Sequence, residues 1–313
     1  MSIRQSIRDL IAKSIINVGS KKARILQDPR YFEFWEKNGF HITPNSFTYP
    51  IPDTRDLKDA LWDQHSAMVG VDLNESRQIA LLELFATKFR SEYAQFPSEK
   101  TDVPHQYCLE NPYFISVDGE ILYCMIRHFK PRRIFEIGSG YSTYLAAQAV
   151  RQNELEGSSC ELVAFEPYPN AVLKRGFPGL SRLVETRIEN VPVAEFANLE
   201  ENDILFVDSS HSLKIGSDVH FEFLEIIPRL RKGVIIHVHD IFLPAEYPRD
   251  WILKDHNFYN EQYLLQAFLA FNDSFEVLWA GSFMHLSHSQ ELQTAFDSYH
   301  GGWPGSFWMR KVK

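Results

Sequence analysis

Arg133-Ile-Phe-Glu136-Ile-Gly138-Ser-Gly140-Tyr-Ser142-Thr143 is the stretch whose reading decides the fold. Its first five residues read as a short apolar strand, and the residues from Tyr141 to Arg151 as an alanine-rich helix. Only glycines and one serine lie between them. Glycine at 138 and 140 lets the backbone turn sharply and lets a ligand approach it closely. The helix that follows presents its N-terminal amides to the same place.

Working outward, the same alternation continues. A helix is expected from Val117 to Lys130, stopped by Pro131. Strands are expected at Glu161–Glu166, Leu183–Ile188, Asp203–Asp208 and Gly233–His239. Two more, Phe275–Ala280 and Ser306–Val312, have no obvious helix of comparable strength between them. Strands apolar at nearly every position and separated by helices imply a parallel sheet covered on both faces. Upstream the pattern is helical or irregular. Three prolines in residues 41–56 mark a non-helical connection, Asn74-Glu-Ser-Arg opens a helix, and Pro97 with SEKTD ends it. The expected division is an N-terminal, mainly helical extension over residues 1–100 and an α/β domain over residues 101–313.

Composition sets limits. The chain has 313 residues, 44% hydrophobic, with a formal charge of −9, which argues against general affinity for nucleic acid. Cys108, Cys124 and Cys160 form no CxxC pair and are odd in number, so a reducing, cytoplasmic setting is expected rather than a disulfide framework or zinc cluster. No apolar run is long enough to span a bilayer, and a secretory signal is not expected. Residues 1–26 set six Lys or Arg against Asp9, with Ile3, Ile7, Leu10, Ile11 and Ile15 on one helical face. Such a helix suits its own protein, a second subunit in a homo-oligomer, or a membrane surface.

A two-glycine loop fits several nucleotide-like ligands. Glu166, the acid at the end of the second strand, can accept hydrogen bonds from both hydroxyls of a ribose. A nicotinamide cofactor uses the same device, yet Thr143 stands where GxGxxG needs its third glycine. Glu136, moreover, would sit poorly beside a pyrophosphate and well beside an ammonium or sulfonium.

EIGSGYST (136–143), Phe165-Glu166-Pro167 and Ile204-Leu-Phe-Val-Asp208 resemble motifs I, II and IV of class I S-adenosylmethionine-dependent methyltransferases, in order. With DILFVDSSH (203–211), HVHDIFLP (237–244) and NEQYLLQAFLAFN (260–272), the stretch from about residue 112 to the end resembles a bacterial group of small-molecule or sugar-directed methyltransferase-like proteins. The resemblance implies a Rossmann-like α/β sheet of seven strands, the last antiparallel, and S-adenosylmethionine as cofactor. It implies that Glu136, Gly138, Ser139, Gly140, Tyr141 and Ser142 hold the methionine portion. Glu166 and Pro167 would meet the ribose, Glu189 and Asn190 the adenine edge, and Asp208 the reacting end. Ser142 departs from the glycine often found there.

A second constellation follows the fourth and fifth strands: Asp208, His211, His237, His239 and Asp240. Carboxyl ends of adjacent parallel strands open onto one crevice. Asp208, His239 and Asp240 can be read as ligands of a divalent metal. Catechol-type and cephalosporin-type methyltransferases place metal ligands at these two strand ends, although Ile241 here replaces a ligating amide and a histidine replaces an acid. Alternatively His239 or His211 is a general base, with Asp240 beside it. His237 is expected to bond a backbone group, Phe242–Trp251 to form a lid, and His285, His288 and His300 to be surface residues. The competing classes are a methyltransferase of a small molecule or sugar, a non-catalytic cofactor-binding scaffold docking through residues 1–26, and a nicotinamide-dependent oxidoreductase.

Overall fold

The computed structural model describes Leu10 and residues 28–313; apart from Leu10, the expected basic helix over residues 1–26 lies outside them. Residue contacts divide the chain into a unit ending at Asp59 and a unit spanning Ala60–Lys313. In the first, helix α1 is Phe32–Lys37, and Asp53 accepts hydrogen bonds from Asn45 and from the Arg55 side chain. All the functional residues discussed below belong to the second.

That second unit opens with α2 (Glu75–Tyr93) and α3 (Asp118–Phe129). Then come β1 (Arg133–Ile137), α4 (Tyr141–Leu155), β2 (Glu161–Phe165), α5 (Ala171–Arg175), β3 (Arg182–Val184) and β4 (Ile204–Val207). The chain continues through α6 (Asp218–Phe221), β5 (Ile235–Val238), α7 (Arg249–Leu253), α8 (Glu261–Leu269) and β6 (Phe275–Ala280). It closes with α9 (Gly281–Ser287), α10 (Ser289–Ala295) and β7 (Phe307–Lys311). The sheet has seven strands in the order β3-β2-β1-β4-β5-β7-β6. Strands β1 to β5 run parallel, while β7 runs antiparallel to both β5 and β6. The expected seven-stranded Rossmann-like sheet is the observed one.

Every residue of β4 and β5 is buried, as sheet positions covered by helices on both faces must be. One apolar layer packs α2, α3 and α4 onto one face through Phe85, Ile121 and Leu145. The other face is covered through Phe196, Phe223 and Leu265.

The expected boundary near residue 100 falls within this unit, because α2 belongs to its core. Leu82 and Phe85 are buried, and the Tyr93 hydroxyl donates to the Ala295 carbonyl at 2.9 Å. Two α2 side chains also serve the sheet edge. Asn74 does not cap the helix; its amide donates to the Val277 carbonyl at 3.1 Å, and the Gln78 amide oxygen accepts from the Ala280 N–H at 2.7 Å. Strand β6 is an edge, and its unpaired backbone groups find these partners instead of another chain.

Between β6 and β7 the structure places α9 and α10, whose short, weakly patterned sequences concealed them. His285 and His288 are not plain surface residues. His285 contacts the Tyr299 hydroxyl at 2.7 Å, and His288 lies 2.8 Å from Glu75; His300 is exposed. The expected lid over residues 242–251 is packed rather than free, since Phe242, Leu243 and Tyr247 are buried. The Trp62 indole donates to the Tyr247 carbonyl at 3.0 Å, and Gln262 accepts from the Phe242 N–H at 3.0 Å. Among the described residues no helix is long and apolar enough to cross a membrane, and all three cysteines are buried and free.

Candidate functional site

The carboxyl ends of β1, β2, β4 and β5 meet at one edge of the sheet, and backbone bonds fix how they meet. The Gly138 N–H donates to the Phe165 carbonyl at 3.0 Å, and the Asp208 N–H to the Ile137 carbonyl at 2.8 Å. Gly138 has φ +81°, and a Cβ there would lie 1.8 Å from the Asp208 carbonyl oxygen. Glycine is therefore obligatory at 138. Gly140 differs: it is extended, and a Cβ would meet nothing within 4 Å, so its bare side faces open space. The loop is closed by Thr143, whose hydroxyl accepts from the Gly140 N–H at 3.0 Å. The residue that breaks the dinucleotide pattern thus caps the helix.

Two cavities meet here. One, of about 700 Å³, is lined by the glycine loop from Gly138 to Ser142 and by Asp208, His211, His239 and Asp240. The other, of about 480 Å³, is lined by Pro167, Tyr168, Ile188, Glu189 and the loop after Asp208. Gly138, Glu166 and Asp208 line both. Glu166 accepts from the Ser139 N–H at 3.2 Å and from the Tyr168 N–H at 2.7 Å, which fixes its carboxylate at the junction. Asn190 is not brought to the site. It is exposed, and its N–H turns back to the Arg187 carbonyl at 3.0 Å.

Glu136 lies behind the loop. Its Oε1 accepts from the Ser142 hydroxyl at 2.7 Å, while Oε2 is buried without a partner. Burial pushes this carboxyl up to about 8, against the bonds from Ser142 and Thr143 that favour its charged form. A cationic group arriving at the loop would relieve that strain. The orphaned Oε2 and the open side of Gly140 suit a ligand with an ammonium end.

Past β4 and β5 the geometry centres on His211, which the sequence offered only as one possible base. Its Nε2 lies 3.3 Å from both Asp208 Oδ1 and Asp240 Oδ2, and its Nδ1 2.9 Å from Glu261 Oε2. Burial by itself would lower this imidazole. The bonds to Asp208 and Glu261, with Asp240 close by, outweigh it and raise the pKa well above the ordinary value. Conversely, burial would raise Asp208, but His239 and His211 hold it below the usual carboxylate range. Both His211 and Asp240 adopt left-handed backbone, with φ +56° and +55°, a conformation uncommon outside glycine.

His239 lines the larger cavity, 5% exposed, with its Nε2 3.6 Å from Asp240 Oδ1. Burial would lower it, and Asp208, Asp240 and Asp118 together raise it instead. His237 does not bond the backbone. It is buried, stacks on Phe206 at 3.9 Å and meets the Ser306 hydroxyl at 3.0 Å, so its role is packing.

The expected metal set of Asp208, His239 and Asp240 is not assembled. The His211 imidazole lies within 3.3 Å of both the Asp208 and the Asp240 carboxylate. Among the described residues no three His, Cys, Asp or Glu side chains are grouped to hold a metal ion.

Sequence reasoning passed over Asp118 and offered Glu261, in the first turn of its helix, only as a possible substrate contact. Glu261 is buried at the start of α8 with its Oε1 unpartnered. Asp118, at the start of α3, accepts from the Gly305 N–H at 2.8 Å and the Ser306 N–H at 3.0 Å. It thereby fixes Gly305, where a Cβ would lie 3.1 Å from the Asp240 Cα. An acid in the first turn of a helix was the only available signal, and helix dipoles alone explain many such acids.

Residues 135–241 match the family model of a methyltransferase domain. A protein of Archaeoglobus fulgidus is 28% identical over 169 residues, covering 51% of this chain and 75% of its own. The likeness is therefore not confined to bacteria. Among solved structures, the O-methyltransferase from Bacillus cereus in complex with SAH is 17% identical, covering 76% of this chain and 91% of its own, with a TM-score of 0.37. The plantazolicin methyltransferase BamL, solved with a triazolic desmethylPZN analog and SAH, is 16% identical over 76% of this chain and 97% of its own, with a TM-score of 0.37.

Proposed function

We propose that this class I S-adenosylmethionine-dependent methyltransferase methylates an oxygen of a small-molecule or sugar acceptor, with Asp208, His239 and Asp240 at the reacting end. The observation that carries the reading is the meeting of two cavities at Gly138, Glu166 and Asp208. A ligand with a nucleoside end and a cationic amino-acid end needs that division. When bound, S-adenosylmethionine supplies an electrophilic methyl group. Glu166 would accept from the ribose hydroxyls, Pro167 and Glu189 would flank the base, and Glu136, Ser139, Gly140, Tyr141 and Ser142 would hold the amino-acid end.

His239 takes the proton of the acceptor hydroxyl: it lines the larger cavity and holds its Nε2 3.6 Å from Asp240. Asp240 orients that ring. His211, already charged among three carboxylates, does not serve as the base. It holds Asp208 and Asp240 apart and offsets their repulsion. The buried free cysteines support a cytoplasmic address, and residues 1–26 are our candidate for contact with a membrane surface or second subunit.

Calorimetry tests the reading directly. S-adenosylmethionine and its demethylated product should both bind, and Glu166→Ala should weaken them at least about tenfold, close to 1.4 kcal/mol. No binding at millimolar ligand would overturn it. His239→Ala should abolish methyl transfer across an acceptor panel while leaving cofactor affinity intact; unchanged turnover would remove His239 from the chemistry.

A further inference from the structure

We infer that the acceptor is an elongated, neutral, hydroxyl-rich chain, a glycan in chemical class, whose far end lies in a groove along the outer face of α4. The inference rests on the methyltransferase reading above. A third cavity, of about 470 Å³, is lined by Tyr144, Ala147, Gln148, Arg151, Gln152 and Leu155. Their spacing is that of one helical face. From Tyr144 to Leu155 that face runs about 16 Å at 1.5 Å per residue. The same helix begins at the glycine loop, so the groove leads away from the reacting end.

The groove adjoins the reaction cavity, since Gln106 and Tyr144 line both. Ring contacts mark the route from one to the other. Tyr113 meets Tyr141 at 6.4 Å, Tyr141 meets Tyr144 at 5.7 Å, and Tyr144 meets Phe177 at 5.3 Å. Phe177 in turn lies parallel to His105, 5.1 Å away. Of these rings Tyr113 is exposed and Tyr141 half-buried, so the apolar face of a sugar ring can pack on them, while Tyr144 and Phe177 are buried against each other.

The polar groups choose the ligand's charge. Arg151 and Glu154 both line the groove, and among the described residues neither side chain makes an ion pair or hydrogen bond. An anion would suffer from Glu154 and a cation from Arg151. A hydroxyl donates to the one and accepts from the other. The free side-chain amides of Gln148 and Gln152 offer the same pairing of donor and acceptor.

The test uses the full chain saturated with S-adenosylhomocysteine and titrated with neutral linear oligosaccharides of the glucose, xylose and N-acetylglucosamine series, from one to six units. Affinity should rise with length in at least one series and then level off. Gln148→Trp and Gln152→Trp, at exposed and half-buried positions outside the core, should each remove at least about nine-tenths of the gain over the monosaccharide. Their melting temperature and S-adenosylhomocysteine affinity should stay as in the wild type. Failure to bind S-adenosylhomocysteine would strike the proposed function itself. Normal S-adenosylhomocysteine binding with no oligosaccharide bound, or with binding insensitive to both tryptophans, would overturn the groove alone. So would a length-dependent gain confined to uronic-acid oligomers run in parallel.

Discussion

Glu136→Gln removes a charge from a place that resists it. Raising a carboxyl from its ordinary 4.5 to about 8 corresponds to about 5 kcal/mol, at about 1.4 kcal/mol for each tenfold change in proton affinity. Roughly 2–3 kcal/mol should survive relaxation of the site and entry of water. The sign follows from linkage. The folded chain binds this proton more tightly than the unfolded chain, so stability falls as pH rises through the window from 4.5 to about 8, and the full penalty is present above it. Glutamine keeps the oxygen that accepts from Ser142 and cannot ionise. The variant should therefore match the wild type in urea unfolding near pH 5 and exceed it by about 2–3 kcal/mol at pH 9, with weaker cofactor binding as the cost. Parallel stability curves for the two proteins from pH 5 to 9, or a variant less stable at pH 9, would refute the reasoning.

Other outcomes follow from the same site. Gly138→Ala combines a left-handed φ with a Cβ 1.8 Å from the Asp208 carbonyl, and should cost at least about 2 kcal/mol in chemical denaturation. Gly140→Ala should cost less than about 1 kcal/mol yet weaken cofactor binding in calorimetry. His211→Ala strips Glu261 of its buried partner and should lower stability by about 3–5 kcal/mol; a loss under 1 kcal/mol would show that the cluster is not ionic. In the wild type, His211 has a raised folded pKa, so its contribution is fully present below the unfolded value near 6.5 and is lost as pH rises through the folded one. A base must be unprotonated, so the raised pKa of His239 predicts methyl transfer that increases as pH climbs above neutrality. A rate that instead falls over that range would point away from His239.

The legible part of the site consists of residues attached to recognisable strand ends. Glu136, Gly138, Glu166, Asp208, His239 and Asp240 each sit at or beside the end of a run such as Ile204-Leu-Phe-Val. A parallel strand announces itself by continuous apolarity. The illegible part depends on distant segments. Glu261 meets His211 across fifty residues of chain, and Asp118 reaches Gly305 across 187; neither partner leaves a local mark. The expected lid failed for a related reason. Its prolines and aromatics read as a mobile loop, but Gln262 and Trp62 supply the hydrogen bonds that pack it down.

By itself the sequence determined the strand–glycine–helix turn, the run of parallel strands and the acid that follows the second of them. These are consequences of local sterics and burial, which act on neighbours along the chain. Only the tertiary structure decided what the acids and imidazoles do. It set His211 between Asp208, Asp240 and Glu261, where a metal had been one of two readings, and left Glu136 with an unpaired oxygen. Charges respond to whatever lies within a few ångströms in space, and that neighbourhood exists only once the strands have come together.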